Sequence, residues 1–204
     1  MAGSRPYEQR RRAESAEQTR RRIIETVLEL LHDSPSEPIS VERIAAAAGV
    51  ARSTIYAIFG SRAGLFEAVG AHIHGPEYQG LLEAVRHPDA LEHLRGGIRA
   101  ASEMLAANRD TYRVLYAMAQ LDEETLGGEV RRWGEERAVG MGKVARHLDE
   151  EGLLREDLTR KQAVDVLWML SSFESFDLLY TGRGLSLKKT IEVLTETAER
   201  AVCR

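Results

Sequence analysis

The chain contains 204 residues, of which 43% are hydrophobic and 29% charged, and its formal net charge is -4. This composition excludes a mostly disordered or collagen-like protein, and the length allows one large domain or two small ones with a sizeable core. Charge is unevenly distributed, because residues 1–62 carry 10 basic and 8 acidic side chains whereas residues 63–204 carry 18 and 24. The sequence therefore predicts two modules with different partners.

Cysteine content and hydropathy indicate the compartment. Cys203 is the only cysteine, so we expect neither an intrachain disulfide nor a cysteine-rich zinc site. The sequence has no apolar run long enough to span a bilayer and no signal-peptide pattern near its beginning. We therefore expect a cytoplasmic protein with no membrane partner.

The N-terminal third predicts four helices. Helical spacing of apolar residues predicts the first over about residues 14–32. Ser40 can cap a second helix that ends at Gly49, and a third covers about residues 52–59. Ser61 can cap the fourth. The third of these helices is short and follows the second after a tight turn.

Beyond residue 76 the helices lengthen, and no strand or hairpin signal interrupts them. Their predicted ranges are about 78–86, 89–106, 109–120, 123–151, 160–181 and 187–203. The helix over 160–181 is apolar nearly all round, so it must be buried on more than one side. We expect an all-α fold in which an N-terminal three-helix bundle over residues 1–68 precedes a C-terminal helical domain over residues 69–204.

The last two helices are candidates for a homodimer interface. Doubled by a two-fold axis, they would form a four-helix bundle between subunits. Their large apolar side chains would create an exposed patch on a monomer, which soluble monomers avoid. The residues expected in this interface are Trp168, Phe173, Phe176 and Leu194.

Two short helices joined by a tight turn are typical of a helix-turn-helix DNA-binding unit, with the second helix in the major groove. Arg52 offers a planar guanidinium to a guanine edge or a phosphate, and Ala57 leaves room for close approach to a base. The remaining candidate DNA contacts are hydroxyls and a further arginine near helix N-termini: Ser40, Ser53, Thr54, Tyr56, Ser61 and Arg62. We therefore expect a double-stranded DNA partner.

The same region resembles the TetR family of bacterial transcriptional regulators. The resemblance covers about residues 17–66 and rests on IAAAAGV at 44–50, TIYAIF at 54–59 and SRAGL at 61–65. It implies an all-α homodimer with an N-terminal DNA-binding domain and a C-terminal ligand-binding and dimerisation domain. Ile58 stands where the family commonly has Tyr or His, and Arg62 where it commonly has Lys, so the operator sequence does not transfer from relatives.

Two arginine clusters, at residues 10–12 and 20–22, precede the first apolar stripe. A solvated tail is one interpretation of them. The other is an arm that contacts the DNA backbone or a minor groove.

Large aromatic side chains concentrate in the C-terminal part. Four of them fall near the middle of long predicted helices: Tyr112, Tyr116, Trp133 and Trp168. They either fill an ordinary core or border a mostly apolar cavity for a small-molecule effector, the composition typical of such pockets. The second alternative is the one that the family resemblance favours.

Catalytic and metal sites are not indicated. His72 and His74 are two residues apart, not the four that a helical metal pair needs. Arg137 stands where a phosphate-binding loop would need glycine. We therefore expect no metal, no cofactor and no enzyme activity.

These observations predict a ligand-responsive transcriptional regulator, specifically a repressor, that binds a pseudo-palindromic operator as a homodimer. The alternative is an effector-independent DNA-binding regulator whose C-terminal domain only dimerises or docks a protein partner.

Overall fold

Eleven α-helices follow one another along the part of the chain that the computed structural model describes, residues 4–34, 37, 39–74, 77–121 and 126–204. The first four are α1 (Ser4–Asp33), α2 (Val41–Ala48), α3 (Arg52–Phe59) and α4 (Arg62–His74). They are followed by α5 (Glu77–Ala84), α6 (Ala90–Ala107), α7 (Arg109–Ala119), α8 (Gly128–Glu150), α9 (Arg160–Leu170), α10 (Phe173–Asp177) and α11 (Leu187–Val202). No strand occurs in these residues, which confirms the predicted all-α fold. Residues 123–125 of the predicted helix 123–151 lie outside the described residues.

Contacts divide the chain into two compact units. The first unit comprises Met1–Ile73 and Arg113–Glu129, and the second comprises His74–Tyr112 and Val130–Arg204. The division into a DNA-binding domain and an effector domain after residue 68 is a statement about function and stays a prediction.

The core of the first unit lies where α1, α2 and α3 pack against one another. Its most deeply buried apolar side chains are Ile23, Ile24, Val27, Leu31, Ile44, Ile55, Leu65 and Phe66. These are the positions that recur at helical spacing in the sequence, so the apolar stripes locate this core. The first helix is longer than predicted because it continues from Glu14 back through a polar segment to Ser4.

Two glycines determine the path of the chain from α2 to α4. Gly49 has a φ of +64°, in the left-handed region that side chains with a Cβ avoid. In this turn the Val50 N–H donates to the Ala45 carbonyl at 2.9 Å, which closes the end of α2. A Cβ at Gly64 would overlap the Phe59 carbonyl oxygen, so the start of α4 can pass close to the end of α3 only with glycine there.

The core of the second unit is built mainly from α6, α8, α9 and α11, with α11 packed against α6 and α9. Three residues expected in a dimer interface belong to the interior of this unit: Phe173, Phe176 and Leu194 are each at most 5% exposed. That expectation was wrong for these three, because helical spacing identifies an apolar face but not whether the same chain or a second copy covers it.

The helix predicted over residues 160–181 is interrupted. α9 ends at Leu170, and Ser172 begins α10 as its N-cap, with its hydroxyl oxygen accepting from the Ser175 N–H at 3.1 Å. A π-helical turn, Leu178–Gly182, follows α10. The break carries no glycine or proline, so the sequence pattern does not mark it.

A histidine pair joins α6 to α8, with His93 buried and His147 half-buried. His147 Nε2 lies 3.1 Å from the Pro88 carbonyl oxygen and 3.2 Å from a Glu151 carboxylate oxygen, so Nε2 carries the proton of the neutral ring. Its Nδ1 then accepts from the Nδ1–H of His93 at 3.3 Å. The remaining nitrogen of His93, Nε2, is buried without a hydrogen-bond partner among the described residues.

This arrangement gives the protein a stability that depends on pH. Burial, and then the positive potentials of His147, His87 and Lys143, hold the pKa of His93 below its ordinary value of 6.5. The unfolded chain therefore binds this proton more readily, so stability is fully present above about pH 6.5 and decreases as the pH falls below that value. We expect the melting temperature to decrease between pH 7.5 and 5.5, and His93→Gln to reduce the dependence. His72→Gln is the control, since His72 is exposed on α4. An equal pH dependence in His93→Gln and the wild type would contradict this assignment.

Candidate nucleic-acid interface

Helix α3 has one buried side and one solvent-facing side. Ile55 is fully buried and anchors α3 to the domain. Positions one turn apart on the other side are exposed: Arg52, Ser53, Tyr56 and Ala57. Tyr56 is 41% exposed although it is aromatic, which suits a ring that packs on the domain while its hydroxyl reaches a phosphate. The α3 side chains predicted to contact DNA, apart from the half-buried Thr54, therefore share this exposed face.

Two serines cap the helices on either side of α3. The Ser40 hydroxyl oxygen accepts from the Arg43 N–H at 3.2 Å at the start of α2. The Ser61 hydroxyl oxygen accepts from the Gly64 N–H at 2.9 Å at the start of α4. Both residues are exposed. The Ser61 hydroxyl hydrogen is left to donate to another acceptor, whereas the Ser40 hydroxyl also hydrogen-bonds the Glu42 carboxylate. A helix N-terminus with such a hydroxyl suits a phosphate oxygen.

The sequence predicts that Arg62 is exposed and binds a phosphate, but its side chain packs against the domain. Its guanidinium donates to the Ile39 carbonyl at 3.0 Å and lies 5.4 Å from the centre of the Phe66 ring. The residue is half-buried. The contact to Ile39 fastens the start of α4 to the segment before α2, so Arg62 supports the domain whether or not it also contacts a phosphate.

We expect Arg62→Ala to lower the free energy of unfolding by about 1–2 kcal/mol. The loss combines a hydrogen bond worth about 1 kcal/mol with a cation–π contact worth about 0.5–1 kcal/mol. Urea denaturation followed by circular dichroism measures it. Arg52→Ala is the matched control, since its exposed side chain should change stability little. Equal stability of the Arg62→Ala variant and the wild type would exclude the structural role.

Arg52 forms an ion pair that the sequence pattern does not reveal. Its Nη1 lies 2.8 Å from Oε1 of Glu42, the second residue of α2, and both side chains are 56% exposed. A hydrogen bond with its own backbone N–H, together with the charge of Arg52 and the Ser40 hydroxyl, holds the pKa of Glu42 below its ordinary value. The partners are ten positions apart in the sequence, which is not a helical spacing, so only the opposite charges at the two helix starts could have suggested the pair.

The arginine-rich start of the chain is part of α1. Arg20 lies 5.7 Å from the centre of the Phe59 ring, so α1 reaches the end of α3. Arg21 and Arg22 are exposed. The side chains of residues 10–12 lie outside those described, and their predicted role as a DNA-contacting arm stays a prediction.

The four aromatic residues predicted to border an effector cavity do not form one cluster in the second unit. Tyr112 meets Trp133 edge-on, with ring centres 6.4 Å apart. Trp168 is 41% exposed and donates from Nε1 to the Gly134 carbonyl at 2.8 Å. Tyr116 is half-buried and belongs to the first unit. Their role as cavity lining stays a prediction.

A cleft of about 320 Å³ lies between the α6–α7 junction and Tyr180. Residues 106–111 and Tyr180 line it, and none of the four predicted aromatic residues does. Its Arg109 is held by Asp110 and by the Thr181 hydroxyl. The described residues contain no helix that is long and apolar enough to cross a bilayer, and no group of three or more potential metal-ligating side chains.

The sequence of the α1–α4 region matches a known family. Residues 23–69 fit the model described as bacterial regulatory proteins of the tetR family. The match covers the segment that holds α2 and α3 and identifies it as a TetR-type DNA-binding region. A comparison with curated protein sequences found no match.

Solved structures share the fold of this chain. NalD, the secondary repressor of the MexAB-OprM multidrug efflux pump in Pseudomonas aeruginosa, is 23% identical over 94% of this chain and 98% of its own, with a TM-score of 0.73. SmeT in complex with triclosan is 17% identical over 92% of both chains, with a TM-score of 0.72. The ketosteroid transcriptional regulator KstR2 of Mycobacterium tuberculosis is 16% identical over 91% of this chain and 95% of its own, with a TM-score of 0.63.

Family and structural neighbours are transcriptional regulators and not enzymes. The family match over residues 23–69 identifies α2 and α3 as the helix-turn-helix of a DNA-binding regulator.

Proposed function

We propose that this TetR-family regulator is a ligand-responsive repressor that binds a pseudo-palindromic operator as a homodimer in the bacterial cytoplasm. The observation that carries the proposal is α3, in which Ile55 is buried while Arg52 and Tyr56 face solvent one turn apart. A helix held in this way can enter a major groove while its apolar side stays buried in the domain.

Each exposed group of this surface has a chemical role toward DNA. Arg52 reads a guanine edge through its planar fork, and Ala57 contacts a thymine methyl group. The hydroxyl groups of Ser40, Ser53, Thr54, Tyr56 and Ser61 donate to phosphate oxygens. Phosphate contacts fix the register of the helix, and base contacts select the sequence.

The homodimer would use α9 and α11. Among the described residues, the large apolar side chains that remain exposed on the α9–α10 segment and the turn after it are Trp168, Met169 and Leu178. Met169 is 54% exposed and directly follows Trp168. A second copy related by a two-fold axis would cover the same patch on both chains. Two recognition helices then become available for two half-sites about 34–36 Å apart.

The effector response would work through geometry. A small molecule bound by the C-terminal domain would favour one of two arrangements and change the separation of the two recognition helices, so that they no longer fit successive major grooves. Support comes from the aromatic content of this domain and from the fold shared with SmeT, whose structure is a complex with triclosan.

Selection from a random duplex library tests the proposal. The full chain should retain duplexes with an inverted repeat, and some members of a small-molecule collection should release them. Retention without a common sequence would refute operator binding. Retention of an inverted repeat that no compound releases would favour the alternative, an effector-independent regulator whose C-terminal domain dimerises or docks a protein.

A further inference from the structure

The two short helices of the DNA-binding unit are linked at the surface by one ion pair. Arg52 is the first residue of α3, and its Nη1 meets the carboxylate of Glu42, in the first turn of α2, at 2.8 Å. Among the described residues, Arg52 has no other polar partner. The Nε and Nη2 edge of the guanidinium, with its parallel N–H donors, is therefore left for a ligand.

That edge has the geometry that guanine requires. A guanidinium binds O6 and N7 of guanine through two parallel N–H groups, and this contact discriminates against a wrong base by about 5- to 150-fold. An arginine side chain in solvent samples many rotamers, and holding it in one reduces the ordering cost of binding. Because Glu42 occupies Nη1 only, Arg52 can keep this partner while it reads a base.

The same ion pair weakens binding to DNA that has no matching base. On such DNA an arginine contributes mainly by neutralising a phosphate and releasing a counterion. Paired with Glu42, Arg52 is part of a neutral unit and supplies little of this attraction. Glu42 is ionised at neutral pH, because its pKa lies below its ordinary value, so the pair carries no net charge there.

We propose that Glu42 is a positioning residue for operator recognition, which orients Arg52 toward a guanine and suppresses binding to non-operator DNA. This inference rests on the proposed DNA-binding function. Both effects change the ratio of operator to non-operator affinity in the same direction, so removing the carboxylate lowers that ratio.

The test uses the full chain and two duplexes, one selected by the wild type from a random library and one with the same base composition in scrambled order. We expect Glu42→Gln to lower the ratio of their affinities at least about 3-fold, a size within the range of an exposed ion pair together with one added phosphate contact. Binding of the scrambled duplex should tighten, and its logarithmic salt slope should steepen by about 1 per chain between about 50 and 200 mM salt. Glu42→Ala should act in the same way.

Glu37→Gln is the matched control. Glu37 forms an ion pair with Arg43 at 2.8 Å in the same unit, so its substitution changes the net charge equally without touching Arg52. The effect of Glu42→Gln should also disappear in an Arg52→Ala background, since the two residues act together. Circular dichroism verifies that the variants are folded.

The outcomes separate this inference from the function on which it rests. A lower ratio in Glu42→Gln alone, lost in the Arg52→Ala background, supports the positioning role. Equal effects of Glu42→Gln and Glu37→Gln, or an unchanged ratio in both, would overturn the inference while leaving DNA binding intact. Failure of the wild type to distinguish the two duplexes would overturn both.

Discussion

Arg52→Ala should weaken binding to the selected duplex about 5- to 150-fold, which corresponds to about 1–3 kcal/mol. The loss should fall mainly on sequence preference, because Arg52 is proposed to read a base and not only to neutralise a phosphate. Stability should remain near that of the wild type, since the side chain is 56% exposed and its one ion pair is at the surface. Fluorescence anisotropy with the selected duplex and its single-base variants measures both effects.

Arg52→Lys is the matched control for this experiment. Lysine keeps the charge but lacks the planar fork, so it should restore binding to scrambled DNA without restoring base preference. Unchanged operator affinity in Arg52→Ala would contradict the proposed base recognition by Arg52 at the N-terminus of α3.

Met169→Glu should raise the dissociation constant of the homodimer at least about 30-fold. By two-fold symmetry the interface contains two copies of this side chain. Met169 is 54% exposed in the single chain, so burying the rest of each copy should contribute about 1 kcal/mol. The two copies together give about 2 kcal/mol, which corresponds to about 30-fold in the dissociation constant. Operator affinity should fall with dimer content, as measured by sedimentation and anisotropy on the same samples.

Val139→Glu is the matched control for the dimer experiment. Val139 is 64% exposed on α8, outside the proposed interface, so its variant should dimerise normally. Leu194→Glu, in contrast, should unfold the second unit, because Leu194 is 4% exposed within a single chain. A Met169→Glu protein that sediments as the wild type does would contradict the assignment of this patch.

The helix-turn-helix could be predicted from sequence because its boundaries depend on local chemistry. Ser40 supplies the N-cap of α2, and Gly49 and Gly60 adopt positive φ angles at the ends of α2 and α3. These requirements involve residues at most a few positions apart. The bounds of α2 and α3 therefore agree with the predicted ones, and the predicted all-α class is confirmed.

Features that depend on distant partners could not be predicted in the same way. The tie between Arg62 and the Ile39 carbonyl spans 23 residues, and nothing in the sequence distinguishes a guanidinium that packs on Phe66 from one that projects into solvent. Trp168 and Phe176 occupy one apolar stretch, yet Trp168 is 41% exposed and Phe176 is 1% exposed. The apolar pattern shows that these side chains need to be covered. It does not show which of them are buried within the same chain and which stay exposed for a second copy.

A hydroxyl-radical footprint of the full chain on its selected duplex tests the central claim most directly, namely that two copies of α3 read successive major grooves. The account predicts two protected patches on one face of the duplex, symmetric about the centre of the inverted repeat and about 34–36 Å apart. A single patch, or uniform protection along the duplex, would contradict it.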